Sequence, residues 1–362
     1  MRKERKNDMK KRMTKFICLM LVLVLAMGML AACGKPEQKP EEKPQEEAET
    51  EPETEPETDP EEEPVQEATV EYEVNPNAPT EDREGNPIAV PAEITKIASF
   101  APSINQVLES LGLLDKVVAI DTNTPMYVSG VDSIAQFNMM EPDVEQIAAL
   151  EPNIVFTTGM SYQDNDPYAA LKEMGICVIV IPSSSSIEAI KEDITFIAQC
   201  FDDAAVAKAT EINNEFQAEI DKIAAIGATI TEKKRVMFEI AALPYLYSFG
   251  KGTFLDEMIT IIGAENVFGD QEAWIPVTEE DAVAANPDVI LTSVNYIEDS
   301  VGEILGREGW ENVNAVKNKE VYYIDNGASS LPNQYVIKAL QQMAEAVYPD
   351  VYEYEDVLDP AA

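Results

Sequence analysis

The strongest constraint on the fold is an internal repeat. Residues 145–157 read EQIAALEPNIVFT, and 135 positions later residues 280–292 read EDAVAANPDVILT. In both copies a short Ala-rich helical stretch stops ahead of a proline, which disfavours helical geometry in the residue before it. An apolar run suited to a buried strand follows and exits into a Thr/Ser-rich loop. Helix-Pro-strand is common in α/β proteins, but agreement of Glu, Ala, Pro, Thr and the whole apolar run in one register predicts two similar lobes.

From residue 91 onward short apolar runs alternate with amphipathic stretches. Strands are predicted over 94–99, 117–120, 154–157 and 177–181, and again over 235–240, 289–292 and 321–324. Alternation of this kind points to parallel α/β units. Between the two sets, Val206, Ala209, Phe216, Ile220, Ile223 and Ile230 recur on one helical face. They predict a single helix over 202–230, about 43 Å long at 1.5 Å per residue. The expected fold is therefore α/β, with an N-terminal lobe at 91–201 and a C-terminal lobe at 231–362. One long rigid helix bridges them, and a ligand cleft lies between.

The first 90 residues are physically different. Residues 1–32 hold 8 basic and 2 acidic side chains, and residues 16–32 form an almost unbroken apolar run ending in Leu30-Ala31-Ala32-Cys33. A basic stretch, a short apolar core and small residues at a cut site make a secretory signal peptide. The terminal tetrapeptide resembles the bacterial lipobox, whose Cys is acylated and becomes the new amino terminus; this implies lipidation of Cys33. The alternative is a retained signal anchor, for which 17 residues is the short limit for spanning a bilayer. Residues 33–90 then read as lipidated Cys plus disordered acidic tether. Within them, 34–73 hold 17 acidic and 3 basic residues and 7 prolines, and EPET recurs at 51–54 and 55–58. Such a segment buries too little apolar surface to offset ordering and has a coil reach of about 40 Å.

Composition removes whole classes of function. The chain has 26 Lys+Arg against 67 Asp+Glu, a formal charge of −41, and no His. Nucleic-acid binding needs basic groups to displace counterions from phosphates and is excluded as a partner. Without His there is no Ser-His-Asp or Cys-His catalysis and no His-based zinc site. No carboxylate pair is singled out by spacing for glycoside hydrolysis, and Gly250-Lys251-Gly252-Thr253 lacks the P-loop's first Gly because position 245 is Tyr245. A Gly turn capping a helix from Thr253 accounts for that stretch better. No enzyme activity, resident cofactor or protein metal site is expected. Once Cys18 leaves with the signal and Cys33 carries lipid, Cys177 and Cys200 remain as two buried free thiols or one disulfide.

Ligands of open α/β sheets bind beyond the carboxyl ends of the strands, and clefts between lobes are the usual small-molecule sites. The corresponding loops are 99–105, 121–127, 157–162, 183–186, 243–248, 293–296 and 325–330. They are rich in Ser, Thr, Asn and Tyr, a lining for a large neutral ligand. Ser99, Pro102, Ser103, Thr124, Tyr127, Tyr162, Tyr245, Tyr247 and Tyr296 are the cleft candidates they supply. For any one loop the competing explanation is ordinary turn chemistry.

The stretch KIASFAPSI at 96–104, with Leu111-Gly112 and Val117-Val118-Ala119-Ile120, resembles the opening of the class III periplasmic binding proteins. These deliver cobalamin, ferric siderophores or haem to ABC importers. Further matches are DVEQI at 143–147 before EPNIV at 151–155, GAENVF at 263–268, and Trp274 ahead of VTEE at 277–280, so the resemblance runs over about residues 95–350. It implies two α/β lobes bridged by one long helix, and a permease-docking glutamate on each lobe, at Glu145 and Glu280. The repeat offset makes that pair symmetric by itself; the plainer reading is that each Glu solvates a helix start. Trp274 joins the cleft candidates on this basis. So does Met139, six residues before Glu145, where cobalamin-binding members carry an aromatic; Met139 either makes softer apolar contact or is core.

The resemblance implies a lipid-anchored substrate-binding protein on the extracytoplasmic face of the cell membrane, monomeric, with an ABC permease and ATPase as partners and a large metal chelate as ligand. Residues 74–362 hold 15 basic against 48 acidic side chains, a poor setting for multiply anionic ferric catecholates. Haem would lack a His ligand, although Tyr can serve. Corrinoids and hydroxamate-type ferric siderophores remain, with corrinoid favoured. The alternatives are a haem-binding member of the same family and a surface sensor or adhesin on the same fold.

Overall fold

A computed structural model of the chain describes residues 72–162, 165–354 and 358. The expected signal peptide, Cys33 and the tether through residue 71 lie outside the described residues.

The N-terminal lobe is built on β1 (Ile97–Ser99), β2 (Val117–Asp121), β3 (Ala135–Phe137), β4 (Ile154–Thr158) and β5 (Cys177–Ile181), all parallel, in the order β3-β2-β1-β4-β5. The C-terminal lobe has β6 (Arg235–Glu239), β7 (Tyr247–Phe249), β8 (Glu265–Asn266), β9 (Trp274–Pro276), β10 (Val289–Thr292) and β11 (Val321–Tyr323). Four of these form a parallel sheet ordered β11-β10-β6-β8, while β7 and β9 make an antiparallel ribbon. The predicted strands at 94–99, 235–240 and 321–324 are shorter than expected. The short strands β3, β7, β8 and β9 went unpredicted, because two or three residues leave no periodicity to read.

The helices in chain order are α1 (Pro102–Ser110), α2 (Val144–Ala149), α3 (Ala169–Glu173), α4 (Ile187–Gln199), α5 (Asp203–Gly227), α6 (Phe254–Ile261), α7 (Glu279–Ala285), α8 (Ser300–Leu305), α9 (Asn314–Asn318), α10 (Asn326–Ser330) and α11 (Val336–Val347). They cover both sheet faces. Ile154 and Phe156 of β4 join a core with α4 and α5, whereas Val155 between them packs with Phe100, Tyr168 and Leu171 on the other face. Strands buried on both sides are apolar throughout, which is why they were visible as continuous runs.

The bridging helix is α5, which ends at Gly227 and not at 230. Asp202 caps its start, accepting from the Ala205 N–H at 2.9 Å. Ala205, Ala209, Phe216, Ile220 and Ile223 form its buried stripe, in one continuous core with Ile179 and Phe156 of the first lobe and Phe238 and Leu291 of the second. Gly227 allows α5 to meet the end of α6 closely: a Cβ there would stand 2.1 Å from the Ile261 carbonyl oxygen.

The repeat extends into backbone geometry. Asp143 caps α2 and Thr278 caps α7, each through its side-chain oxygen. Glu151 and Asn286, both ahead of a Pro, adopt φ of 54° and 45°. Lys96 Nζ bonds the Leu150 carbonyl at 3.0 Å and Arg235 Nη1 bonds the Ala285 carbonyl at 2.7 Å. Within each of the pairs Asp143/Thr278, Glu151/Asn286 and Leu150/Ala285 the separation is again 135.

The tether expectation fails at its C-terminal end. Residues 72–92 form an ordered arm on the N-terminal lobe, with Val90 and Ala78 buried and bridges between Val74 and Pro91 and between Glu81 and Pro87. The reason lies at the sheet edge. β5 has an unpaired side, and buried Asp82 accepts from the Val180 N–H there at 3.1 Å. Asp82 also folds its own turn, accepting from the N–H groups of Glu84 and Asn86, each at 2.9 Å. Tyr72, Ala78, Ile88 and Val90 add enough apolar surface to dock the arm.

Candidate functional site

A cavity of about 580 Å³ lies between the lobes, in the size range of small-molecule sites. Its walls come from the carboxyl ends of the parallel strands. Ala101 to Ile104 follow β1, Asn123 and Tyr127 follow β2, Met139 follows β3, Thr158 and Met160 follow β4, and Pro182 to Ser184 follow β5. From the second lobe come Ile240 after β6, Tyr247, Trp274, Ser293 after β10, and Ser329 to Pro332. One side of α4, with Asp193, Ile194 and Ile197, and the start of α6, with Phe254 and Leu255, complete it.

Two packing devices shape the aromatic wall. Trp274 stands edge-on to Phe249 and Phe254, with ring centroids 5.9 and 6.3 Å away. Thr253 caps α6 by accepting from the Asp256 N–H at 3.2 Å, the capping turn expected for the Gly250–Thr253 stretch, and so places Phe254 and Leu255 at the cavity. Tyr127 reaches across the lobes: its hydroxyl donates to Asn326 Oδ1 at 3.1 Å. Its ring packs so closely on Gly327 that a Cβ there would lie 2.9 Å from it. Asn333 Nδ2 donates to Gln106 Oε1 at 2.6 Å and Gln334 Nε2 to Ser110 Oγ at 2.8 Å, further ties between the lobes.

Of the eleven cleft candidates, the fold brings Pro102, Ser103, Tyr127, Met139, Tyr247 and Trp274 onto this one wall. The other five lie elsewhere. Ser99 is fully buried at the end of β1, and Thr124 is buried with its hydroxyl accepting from Asn105 Nδ2 at 3.2 Å. Tyr162 packs against Tyr168 under Lys172, and burial raises its pKa above the usual phenol range. Tyr245 and Tyr296 point into solvent, 82% and 67% exposed, the Tyr296 hydroxyl accepting from the Ala242 N–H. Loop membership alone does not tell which side chains turn inward.

Glu145 and Glu280 are both exposed and occupy the same second position of helices α2 and α7. No ion pair engages either one among the described residues. Cys177 and Cys200 are buried free thiols, which resolves the alternative left by their spacing.

Sequence reasoning missed Asp193, and its signal was present. It interrupts an apolar helical stripe of Ile187, Ile190, Ile194 and Ile197 at a position that must face inward. Its carboxylate accepts from Arg83 Nε at 2.7 Å and from the Ser184 hydroxyl at 2.6 Å. Burial raises its pKa, against the opposing pull of Ser184 and Arg83. Among the described residues no cluster of three or more His, Cys, Asp or Glu is arranged for a metal ion, and no helix is long and apolar enough to cross a membrane.

Two parallel α/β lobes on one connecting helix, with an apolar cleft at the strand ends of both, define a solute-binding protein. The chain belongs to the periplasmic binding protein family, whose sequence pattern matches residues 97–328. Members are the extracytoplasmic substrate-binding proteins of ABC transporters and are not enzymes. An uncharacterized ABC transporter substrate-binding lipoprotein of Bacillus subtilis (strain 168), YvrC, is 30% identical over 278 residues, covering 75% of this chain and 86% of that one. The vitamin B12-binding protein of Vibrio parahaemolyticus is 24% identical over 257 residues, covering 70% and 89%. A possible iron-binding, periplasmic solute-binding protein of Staphylococcus epidermidis has a similar structure, with a TM-score of 0.62 at 25% identity, covering 70% of this chain and 99% of that one.

Proposed function

We propose that this protein captures a large, uncharged metal chelate, with a corrinoid as the favoured cargo, and hands it to an ABC permease. The observation that carries the reading is the cavity wall. It contains Trp274, Tyr127, Tyr247, Met139 and Met160 and, among the described residues, no Lys or Arg and one carboxylate, which is already paired. Multiply anionic chelates would find nothing there to offset the loss of hydration. A macrocycle with apolar faces and amide-bearing edges matches an aromatic and thioether lining with scattered Ser hydroxyls. The similarity to a vitamin B12-binding protein agrees with this choice. The protein is held to the membrane by lipid on Cys33, and Glu145 and Glu280 dock onto permease arginines as carboxylate–guanidinium pairs.

Titrating the mature chain with cyanocobalamin, a ferric hydroxamate and haem, while following tryptophan fluorescence, tests the ligand. Trp274 lies on the cavity wall whereas Trp310 is fully buried beside Arg307, so quenching reports on the cleft. Saturable quenching by cyanocobalamin is expected. Binding of haem alone, or of none of the three, would sink the corrinoid reading.

A further inference from the structure

The arm ahead of the family-matched region touches a residue of the cleft wall. Arg83 lies in it, at the turn that Asp82 closes over the free edge of β5. Its guanidinium donates to Asp193 Oδ1 from Nε and to Glu192 Oε2 from Nη2, both at 2.7 Å. Glu192 faces solvent, but Asp193 is only 5% exposed and is one of the residues that line the cavity. Two apolar residues of the same helix, Ile194 and Ile197, flank it there. A structural tie for the arm would be met by Glu192 alone, without the desolvation of a second carboxylate.

We propose that Asp193 is the polar anchor of the cleft, accepting a hydrogen bond from an amide N–H or hydroxyl at the edge of the bound ligand, and that Arg83 is its positioning residue. A carboxylate offers about four lone-pair sites. Arg83 takes one on Oδ1 and the Ser184 hydroxyl one on Oδ2, so each oxygen keeps a site for the ligand. The guanidinium offsets the charge and fixes the plane of the carboxylate, and the apolar surround strengthens whatever bond the ligand makes. The anchor selects for donor-bearing edges and against carboxylate-bearing ones, which would meet a like charge with no Lys or Arg among the described wall residues to offset it. Specificity thus depends in part on a segment outside residues 97–328.

This inference rests on the chelate reading above, and one set of titrations separates the two. The probes are cyanocobalamin, whose edge carries amide donors, and a corrin in which those amides are methyl esters and donate nothing. Wild type should prefer the amide form. Asp193→Asn should weaken cyanocobalamin binding about tenfold and leave the ester within about twofold. Arg83→Met should cause a similar loss, Arg83→Lys should restore most of it, and Asp193→Asn with Arg83→Met should be no worse than either alone, because the two act as one unit. Thermal midpoints of the ligand-free proteins show whether a variant is folded at the titration temperature. Equal losses for amide and ester, or none for either, overturn the anchor while leaving the chelate reading intact. Failure of the wild type to bind either corrin overturns the anchor and the corrinoid choice together.

Discussion

The backbone N–H of Ile187, at the start of α4 in the first lobe, donates to Glu257 Oε2 on α6 of the second lobe at 2.8 Å. The first N–H groups of a helix have no partner inside it, and Ser186 already serves the Ala189 N–H. A carboxylate from the opposite lobe therefore completes this helix start, and being anionic it also suits the positive end of the helix dipole. With the ties at Tyr127, Gln106 and Ser110 and the shared core along α5, the lobes are held at several points.

Glu257→Ala should lower stability by about 1 kcal/mol, the ordinary worth of a helix cap. Glu257→Gln, which keeps an acceptor oxygen, should recover most of it. Urea unfolding of the three proteins gives the comparison; identical midpoints for wild type and Glu257→Ala would show that water serves Ile187 as well.

Arg307 holds the most deeply buried carboxylate described, that of Glu239. Its Nη1 and Nη2 donate to the two oxygens of Glu239 at 2.7 and 3.0 Å, its Nη2 also donates to Glu303 at 2.6 Å, and the guanidinium lies 4.8 Å from the Trp310 ring centre. Arg307→Met strands the Glu239 carboxylate in the core and should cost about 3–5 kcal/mol. Glu239→Leu combined with Arg307→Met removes both charges and should be markedly less destabilised in the same urea titration. Equal loss in the single and double variants would mean that packing, not charge, sets the cost.

Burial raises the pKa of Cys177 to about 12 and raises that of Cys200 as well. Both thiols should resist a thiol reagent at pH 8 in the folded protein and react fully in denaturant. The linkage has a definite sign. The stabilisation is complete below the ordinary thiol value of 9.0, where both states are protonated, and is lost as pH rises towards about 12, because the unfolded state ionises first. The thermal midpoint should therefore be lower at pH 10.5 than at pH 8. Rapid labelling of the native protein would contradict the burial.

Trp310 Nε1 donates to Glu279 Oε1 at 2.9 Å, which steadies the first turn of α7 beside exposed Glu280. Reversing both lobes' candidates, Glu145→Lys with Glu280→Lys, should leave chelate affinity within about twofold while blocking uptake in cells that carry the permease, since pairing at a docking rim governs encounter. Normal uptake by this variant would remove the two glutamates from the docking surface.

Much of the fold was legible because its signals are local. Proline after each short helix, the capping turn at Thr253 and the apolar runs of β4 and β10 each express a preference of a few adjacent residues. The site was less legible. Ser99 and Tyr127 both lie in loops after parallel strands, yet one is sealed beneath the sheet end and the other spans the lobes. Periodicity assigns a face to residues in helices and strands and is silent about loops.

The amino-acid sequence by itself determined two similar α/β lobes, the helix between them and the absence of imidazole chemistry, since each follows from composition or short-range pattern. Only the tertiary structure decided that residues 72–92 fold onto the edge of β5, that Arg83 meets Asp193, and that the described residues of the cleft wall include no basic side chain. Those depend on groups brought together across the chain, such as Arg83 and Asp193, 110 residues apart. An acidic, proline-bearing stretch looks like tether until the unpaired strand edge that it satisfies comes into view.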